Sequence, residues 1–398
     1  MSRLDFIGQT SVSGEQMAFD MSLVQRGARL RQSPFYEAEQ AYGPRGYTVY
    51  NHMLFPINFD DFEAEYWHLL EHVTLWDVAV ERQLEVQGPD GFRFAQLLTP
   101  RDLSKCAVGQ GKYVLITAPD GGIVNDPVML RLGENHFWFA LASSDARLYA
   151  IGLAQGLGWD VQLSEPDVSP VQIQGPHSRD VVAALFGDEM LSLKYYWFRE
   201  LELDGIPVIV TRTGWTAEVG YEIYLRDGRY GAALWERIME AGRPFQIRPT
   251  GPVDIRRVEG GILNWGADMT IENNPFEVGL ERLCKLDGAF EFTGKEALRR
   301  IRDAGVRRKL VGVEIGGEKL DMNFTKWPVH LGDGQVGEVT TALWSPRLKK
   351  NIGYAWLPVE LAGVGTSVAV HCPNGERPAT VVSMPFIDPM KEIPKSSQ

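Results

Sequence analysis

The stretch Thr211-Arg-Thr-Gly-Trp-Thr-Ala-Glu-Val-Gly-Tyr-Glu-Ile-Tyr-Leu225 decides how the rest of the chain is read. β-Branched residues from Val208 to Thr213 predict a strand, Gly214 and Gly220 bracket a turn, and a second strand follows. In that second strand the period of two puts Tyr221, Ile223 and Leu225 on one face and Glu222 with Tyr224 on the other. A carboxylate beside an aromatic ring can then face a cavity, with Trp215 in the turn as a flat wall. A carboxylate accepts two parallel hydrogen bonds, the pattern offered by the 2-amino group and adjacent ring N–H of a pterin. The plainer reading makes Glu222 a solvent-facing residue of an antiparallel strand.

Just upstream, Val171-Gln-Ile-Gln-Gly-Pro176 predicts a short strand ending in a turn, followed by a helix from Ser178 to Phe186. The aromatic run Lys194-Tyr-Tyr-Trp-Phe198 then leads into a hairpin of Glu200 to Leu203 with Pro207 to Thr213. Further back, Lys112 to Thr117 and Ile123 to Arg131 form a hairpin around Pro119-Asp-Gly-Gly122, extended by a strand from His136 to Ala142. Alternation places Asn125 and Asp126 on opposite faces, so only one of them can look into a site. A helix from Ser143 to Gln155 carries Ser144 or Asp145 as its cap. Tyr47, Tyr50, Met53 and Phe55 crowd a short aromatic segment that is either core or pocket wall.

Downstream, helices are predicted at Tyr230 to Ala241, at Val253 to Gly260 with Arg256, Arg257 and Glu259, and at Gly294 to Ala304. From Lys309 five short alternating strands, separated by Gly, Asn and Pro, predict a small antiparallel β module. The chain therefore divides into an N-terminal arm (1–32), a body of mixed helices and strands (33–305) and a small antiparallel β module (306–398).

With 398 residues the chain is too long for one ordinary core, and 44% hydrophobic with 23% charged residues describes a globular protein. A net charge of -12 argues against a nucleic-acid partner, which requires a concentrated basic surface. Cys106, Cys284 and Cys372 are far apart, with no C-x-x-C pair, so neither a disulfide framework nor a zinc ribbon is indicated. No run of 18 apolar residues and no signal-peptide design at Met1 to Gln25 is present, so a cytoplasmic location and no membrane partner are expected. His68-Leu-Leu-Glu71-His72 matches the H-x-x-E-H pattern of some zinc peptidases, but no third ligand is announced and the histidines read as structural.

Taken in order, Gly121-Gly-Ile-Val-Asn-Asp126, Gln172-Ile-Gln-Gly-Pro176, Thr211-Arg-Thr-Gly-Trp215, Gly220-Tyr-Glu-Ile223, Arg257-Val-Glu-Gly-Gly261, Phe292-Thr-Gly-Lys-Glu-Ala297 and Ser345-Pro346 resemble the glycine cleavage T-protein family of tetrahydrofolate-dependent aminomethyltransferases. Each motif is weak alone; their shared order over about residues 33 to 390 is specific. Gly46-Tyr-Thr-Val-Tyr-Asn-His-Met-Leu54, Glu71-His-Val-Thr-Leu-Trp-Asp-Val-Ala79, Glu81-Arg-Gln83, Arg101-Asp-Leu-Ser-Lys105 and Asn125-Asp-Pro-Val128 are more similar to the branch that demethylates dimethylsulfoniopropionate. The resemblance implies a folate-binding α+β body around a central channel and a C-terminal barrel. It implies Glu222, Trp215, Arg257 and Tyr224 for tetrahydrofolate, with Glu222 on the pterin and Arg257 near the aminobenzoyl-glutamate end. Tyr47, Tyr50, Tyr113, Ser144 and Trp197 are candidates for contact with the methyl donor, with Trp197 also readable as core, and no metal is expected.

Position 125 departs from the family pattern, in which the hairpin carries two aspartates, the first of them catalytic. Asn125 occupies that catalytic position here, and a neutral amide is no general base. Methyl transfer from a sulfonium has no such need, because sulfur leaves as a neutral thioether and the enzyme mainly holds the reactants at attack distance. Aromatic rings can enclose the cation at about 0.5–2 kcal/mol per contact. The leading expectation is a tetrahydrofolate-dependent demethylase acting on a small sulfonium zwitterion. Alternatives are a methylated amine or methoxyaromatic acid as donor, an aminomethyltransferase with a lipoyl carrier protein (which Asn125 disfavours), and a folate-binding protein without turnover. A homodimer is a further expectation.

Overall fold

A computed structural model describes residues 29–396, so the short helix expected near Phe19 to Gly27 lies outside the described residues. The opening stretch belongs to a six-stranded sheet in the order Phe198–Leu203, Ile206–Thr211, Gly220–Leu225, Ser169–Gln174, Thr74–Asp77, Arg248–Pro249. Only the last pairing is parallel. One row across this sheet aligns Trp76, Gln172, Glu222 and Thr211, which therefore share a face. The opposite face sends Leu75, Ile173, Tyr221, Ile223 and Val210 into a core completed by Val181, Val182, Leu234, Trp235 and Ile238 from two helices. Leu234 and Ile238 lie one helical turn apart, as an amphipathic helix requires.

A five-stranded antiparallel sheet follows the order Gln162–Ser164, Gln83–Gln87, His136–Ala140, Val128–Gly133, Gln110–Tyr113. Helices Gly91–Leu98 and Ala146–Leu157 cover one face with Phe94, Leu98, Ala146 and Ala150. On the other face Leu130 and Trp138 meet Ile209 and Tyr224, so the two sheets pack against each other.

The continuous hairpin expected across residues 112–131 is two separate ladders. Gln110–Tyr113 pairs with Val128–Gly133, while Ile116–Thr117 pairs with Ile123–Asn125. Pro127 explains the break: it has no N–H to continue a ladder, and its carbonyl instead accepts from Val114 N at 2.9 Å.

The C-terminal strands close into a six-stranded barrel running from Arg308 to Val382. Trp327–Leu331 is the strand that the five-strand reading missed, because Pro328 inside it reads as a loop. Val313, Val329, Val339, Ala355, Val370 and Val381 fill the interior.

Helix Asp254–Glu259 joins barrel to body. Glu259 Oε1 accepts from Tyr66 Oη at 2.8 Å and from barrel Ser345 Oγ at 2.6 Å. Arg257 Nη1 donates to Asp268 Oδ2 at 2.8 Å, and Thr340 and Thr341 of the barrel donate to Asp268 Oδ1 at 2.9 and 2.6 Å.

Candidate functional site

Between the two sheets, the Gly46–Asn58 hairpin and the barrel lies a cavity of about 590 Å³. That volume suits a small-molecule ligand. Tyr47 and Tyr50 enter from the hairpin Gly46–Asn58, whose tip is made by Asn51 and His52 at φ of 48° and 63°. Asn tolerates the left-handed region, and its amide pins the tip by donating to Val80 O and Leu141 O, each at 2.9 Å. Thus the hairpin is a fixed wall over the cavity.

Trp215 forms another wall. Its ring lies 5.8 Å from that of Trp76, which also lines the cavity, and the Arg257 guanidinium sits 5.3 Å from its centroid. Its backbone N–H donates to Gln172 Oε1 at 3.3 Å, while Gln172 Nε2 donates to Glu222 Oε1 at 2.9 Å.

Glu222 itself is not at the cavity wall. It is 3% exposed, and Oε2 accepts from Thr213 at 2.7 Å, from Tyr224 at 2.9 Å and from Thr211 at 3.4 Å. Burial raises its carboxyl above the ordinary value, while these donors and Gln172 pull it back. Tyr224 is fully buried in the contact between the sheets. Both residues therefore build the frame behind Trp215 rather than the lining.

Arg257, expected near the folate tail, is likewise committed. It is 3% exposed and pairs with Asp254 at 2.6 Å as well as with Asp268. Burial alone would lower its pKa, but the two carboxylates hold the guanidinium charged.

Asn125, the residue expected at the reacting centre, is fully buried and is not among the residues lining the cavity. Its Nδ2 donates to Ala142 O at 3.0 Å and to Ser144 Oγ at 2.6 Å, and its Oδ1 accepts from Asp126 N and Ala142 N, both at 3.0 Å. Every side-chain bond an amide can make here is used within the protein. Ser144 is thereby spent on Asn125 and caps no helix; the helix begins at Ala146 without a side-chain cap. Of the two neighbours in the hairpin, Asp126 faces the cavity. Its Oδ2 accepts from Tyr113 Oη, another lining residue, at 2.9 Å, and burial pushes its carboxyl up to about 7.

Trp197 packs against the main core, while Tyr195 and Tyr196 line the cavity. Tyr196 takes φ of 63°, which breaks the alternation of the run and turns its two tyrosines and its tryptophan in different directions. The Tyr-Tyr pair was visible in sequence, but a single left-handed residue was not. Other lining residues that sequence reasoning passed over are Glu81, Asp254, Trp265, Arg282 and Lys391. In the sequence Glu81 stands out only as part of Glu81-Arg-Gln83.

The site thus brings together Tyr47, Tyr50, Tyr113 and Trp215 of the expected residues. It leaves Asn125, Ser144, Trp197, Glu222, Tyr224 and Arg257 in the surrounding frame. His68 Nε2 donates to Gln246 O at 2.7 Å, so that nitrogen offers no lone pair to zinc. No helix among the described residues is long and apolar enough to cross a membrane.

Comparison with known proteins agrees with this architecture. The GCVT N-terminal domain model matches residues 20–288, and the glycine cleavage T-protein C-terminal barrel domain matches residues 308–388. The chain is 39% identical over 353 residues to dimethylsulfoniopropionate demethylase from Ruegeria pomeroyi, covering 89% of this chain and 96% of that protein. It is 30% identical over 363 residues to an aminomethyltransferase from Bacillus mycoides, covering 90% and 98%. The crystal structure of aminomethyltransferase T from Bartonella henselae superposes with a TM-score of 0.81 at 23% identity, covering 90% and 98% of the two chains. The chain belongs to the glycine cleavage T-protein family.

Proposed function

We propose that this member of the glycine cleavage T-protein family moves a methyl group from dimethylsulfoniopropionate, or a similar small sulfonium zwitterion, to N5 of tetrahydrofolate. The observation that carries this reading is the exchange at the Asn125–Asp126 pair: the amide is locked into the frame, and the cavity is walled by rings. Tetrahydrofolate is an acceptor substrate here, not a resident group. The cavity fits it, since its flat walls at Trp76 and Trp215 suit a planar ring system and its volume suits a small ligand. Arg282 and Lys391 add positive charge for the anionic ends of the two substrates.

Electrons and atoms balance without a cofactor. The N5 lone pair forms the new C–N bond, the S–CH₃ bond pair goes to sulfur, and the N5 ammonium then releases its proton to solvent. Sulfur leaves neutral, so no group need protonate it. The protein contributes orientation and exclusion of water, effects able to supply several kcal/mol of the barrier. Tyr50 and Tyr113 present rings to the cation, and both hydroxyls stay protonated because burial raises them. A free small donor makes a lipoyl carrier protein unnecessary.

Pure protein mixed with tetrahydrofolate and dimethylsulfoniopropionate is expected to form 5-methyltetrahydrofolate and 3-(methylthio)propionate in equal amounts. Folate binding without any methyl transfer would sink the donor assignment. A methylated amine or methoxyaromatic acid that reacts at least tenfold faster would replace it.

A further inference from the structure

We propose that Glu81 is the carboxylate that receives the positive charge of the methyl donor and makes the site select cations over neutral compounds of the same shape. The inference rests on the sulfonium reading above and names the residue that enforces it.

Glu81 follows the strand Thr74–Asp77 and lines the cavity with Trp76, Val78 and Val80 of the same segment. Its backbone is fixed at both ends: its N–H donates to Val78 O at 2.9 Å and its carbonyl accepts from Gln83 Nε2 at 2.6 Å. Its side chain differs from every other acid of the site. Asp126 is capped by the Tyr113 hydroxyl, and Asp254 is paired with Arg257. Glu222, behind the wall, receives bonds from Gln172, Thr211, Thr213 and Tyr224. Among the described residues the Glu81 carboxylate has neither a hydrogen-bond donor nor an ion-pair partner. It is the open acceptor of the cavity.

The electrostatic setting says what kind of ligand closes it. Burial pushes the Glu81 carboxyl well up, and the negative charges of Glu222 and Asp126 push it further. Both effects favour the protonated acid while the site is empty, and among the described residues no cation is paired with Glu81, Glu222 or Asp126. A neutral N–H donor, such as the edge of a pterin, would supply a hydrogen bond but little drive to ionise Glu81. A ligand cation supplies the missing charge, and the rings of Tyr50, Tyr113 and Trp76 supply its apolar enclosure. Arg282 and Lys391 line the same cavity and make no ion pair among the described residues, so the zwitterion's carboxylate has its own complement. After transfer the thioether product is neutral at sulfur and loses its hold on Glu81.

Two probes of equal shape, titrated in the absence of folate, separate charge from size: 3-(trimethylammonio)propionate, with a cationic head, and 4,4-dimethylpentanoate, with an uncharged head. Titration calorimetry with wild-type protein is expected to favour the cation by about tenfold or more. In Glu81→Gln, which keeps the side chain's shape, affinity for the probe with the cationic head falls by about tenfold while that for the probe with the uncharged head changes less than about twofold. Equal loss of both compounds, or retained discrimination, overturns the proposal. The uncharged-head probe and an unchanged melting temperature guard against a folding defect. The two readings fail separately. Wild-type protein that discriminates through Glu81 yet never methylates folate from a sulfonium refutes the reaction and keeps the cation site. Turnover of the sulfonium with undiminished kcat/KM in Glu81→Gln refutes the cation site and keeps the reaction.

Discussion

Tyr113 Oη donates to Asp126 Oδ2 at 2.9 Å, and both residues line the cavity, Asp126 next in sequence to the buried amide of Asn125. The hydrogen bond opposes, but does not cancel, the effect of burial, which leaves the Asp126 carboxyl raised to about 7. In the unfolded chain an aspartate titrates near 4. The folded protein therefore holds an extra proton between about pH 4 and pH 7, and the associated stability declines as pH rises through that window. Asp126→Asn removes the charge while leaving an oxygen for Tyr113. Its melting temperature is expected to exceed that of wild type at pH 8 and to converge with it towards pH 4. A difference that grows on acidification would contradict the assignment.

Asn125→Asp restores the aspartate of the family pattern without restoring a base in the cavity. An ionised carboxylate cannot donate to Ala142 O and Ser144 Oγ, the two bonds that Nδ2 now makes. A loss of about 1–3 kcal/mol in denaturant unfolding is expected, with no gain of aminomethyl transfer. Unchanged stability would show that the amide network is dispensable.

Glu222 acts through Gln172 on Trp215. Removing the carboxylate in Glu222→Ala orphans donors on Gln172, Thr211, Thr213 and Tyr224. Folate affinity measured by calorimetry is expected to drop more than about tenfold while the circular dichroism spectrum stays native. Wild-type affinity in that variant would return Glu222 to a purely structural role.

Trp215 contributes a surface. Trp215→Phe keeps a ring beside Trp76 and should retain folate affinity within about threefold, whereas Trp215→Ala should lose about tenfold. Equal behaviour of the two variants in equilibrium binding would remove the ring from the site.

The histidine pair on helix Phe62–Glu71 has ring centroids 4.8 Å apart, and His68 is tied to Gln246 O. Dialysis against a strong chelator is expected to leave methyl transfer unchanged. Loss of activity reversed by zinc would revive the metal reading of His68 and His72.

Local pattern alone determined a good deal about this protein. The alternation in Gly220–Leu225 put Tyr221 and Ile223 in the core and Glu222 on the other face, because a pleated strand has a strict period of two. The same rule required that only one of Asn125 and Asp126 face a site, and the texture after Lys309 identified an antiparallel β module. Ordered motifs along the chain identified the family.

Only the tertiary structure decided which residue of each pair reaches the cavity. Asn125 gave way to Asp126 because its amide satisfies groups at 142 and 144, which are distant in sequence. Trp197 gave way to Tyr195 and Tyr196 because one left-handed residue breaks the alternation. Glu222 retreated behind Trp215, and Glu81 came forward, because hydrogen-bond saturation is a property of neighbours brought together by the fold. A strand's own period says which side a residue faces; what waits on that side is set by the packing of two sheets and a barrel.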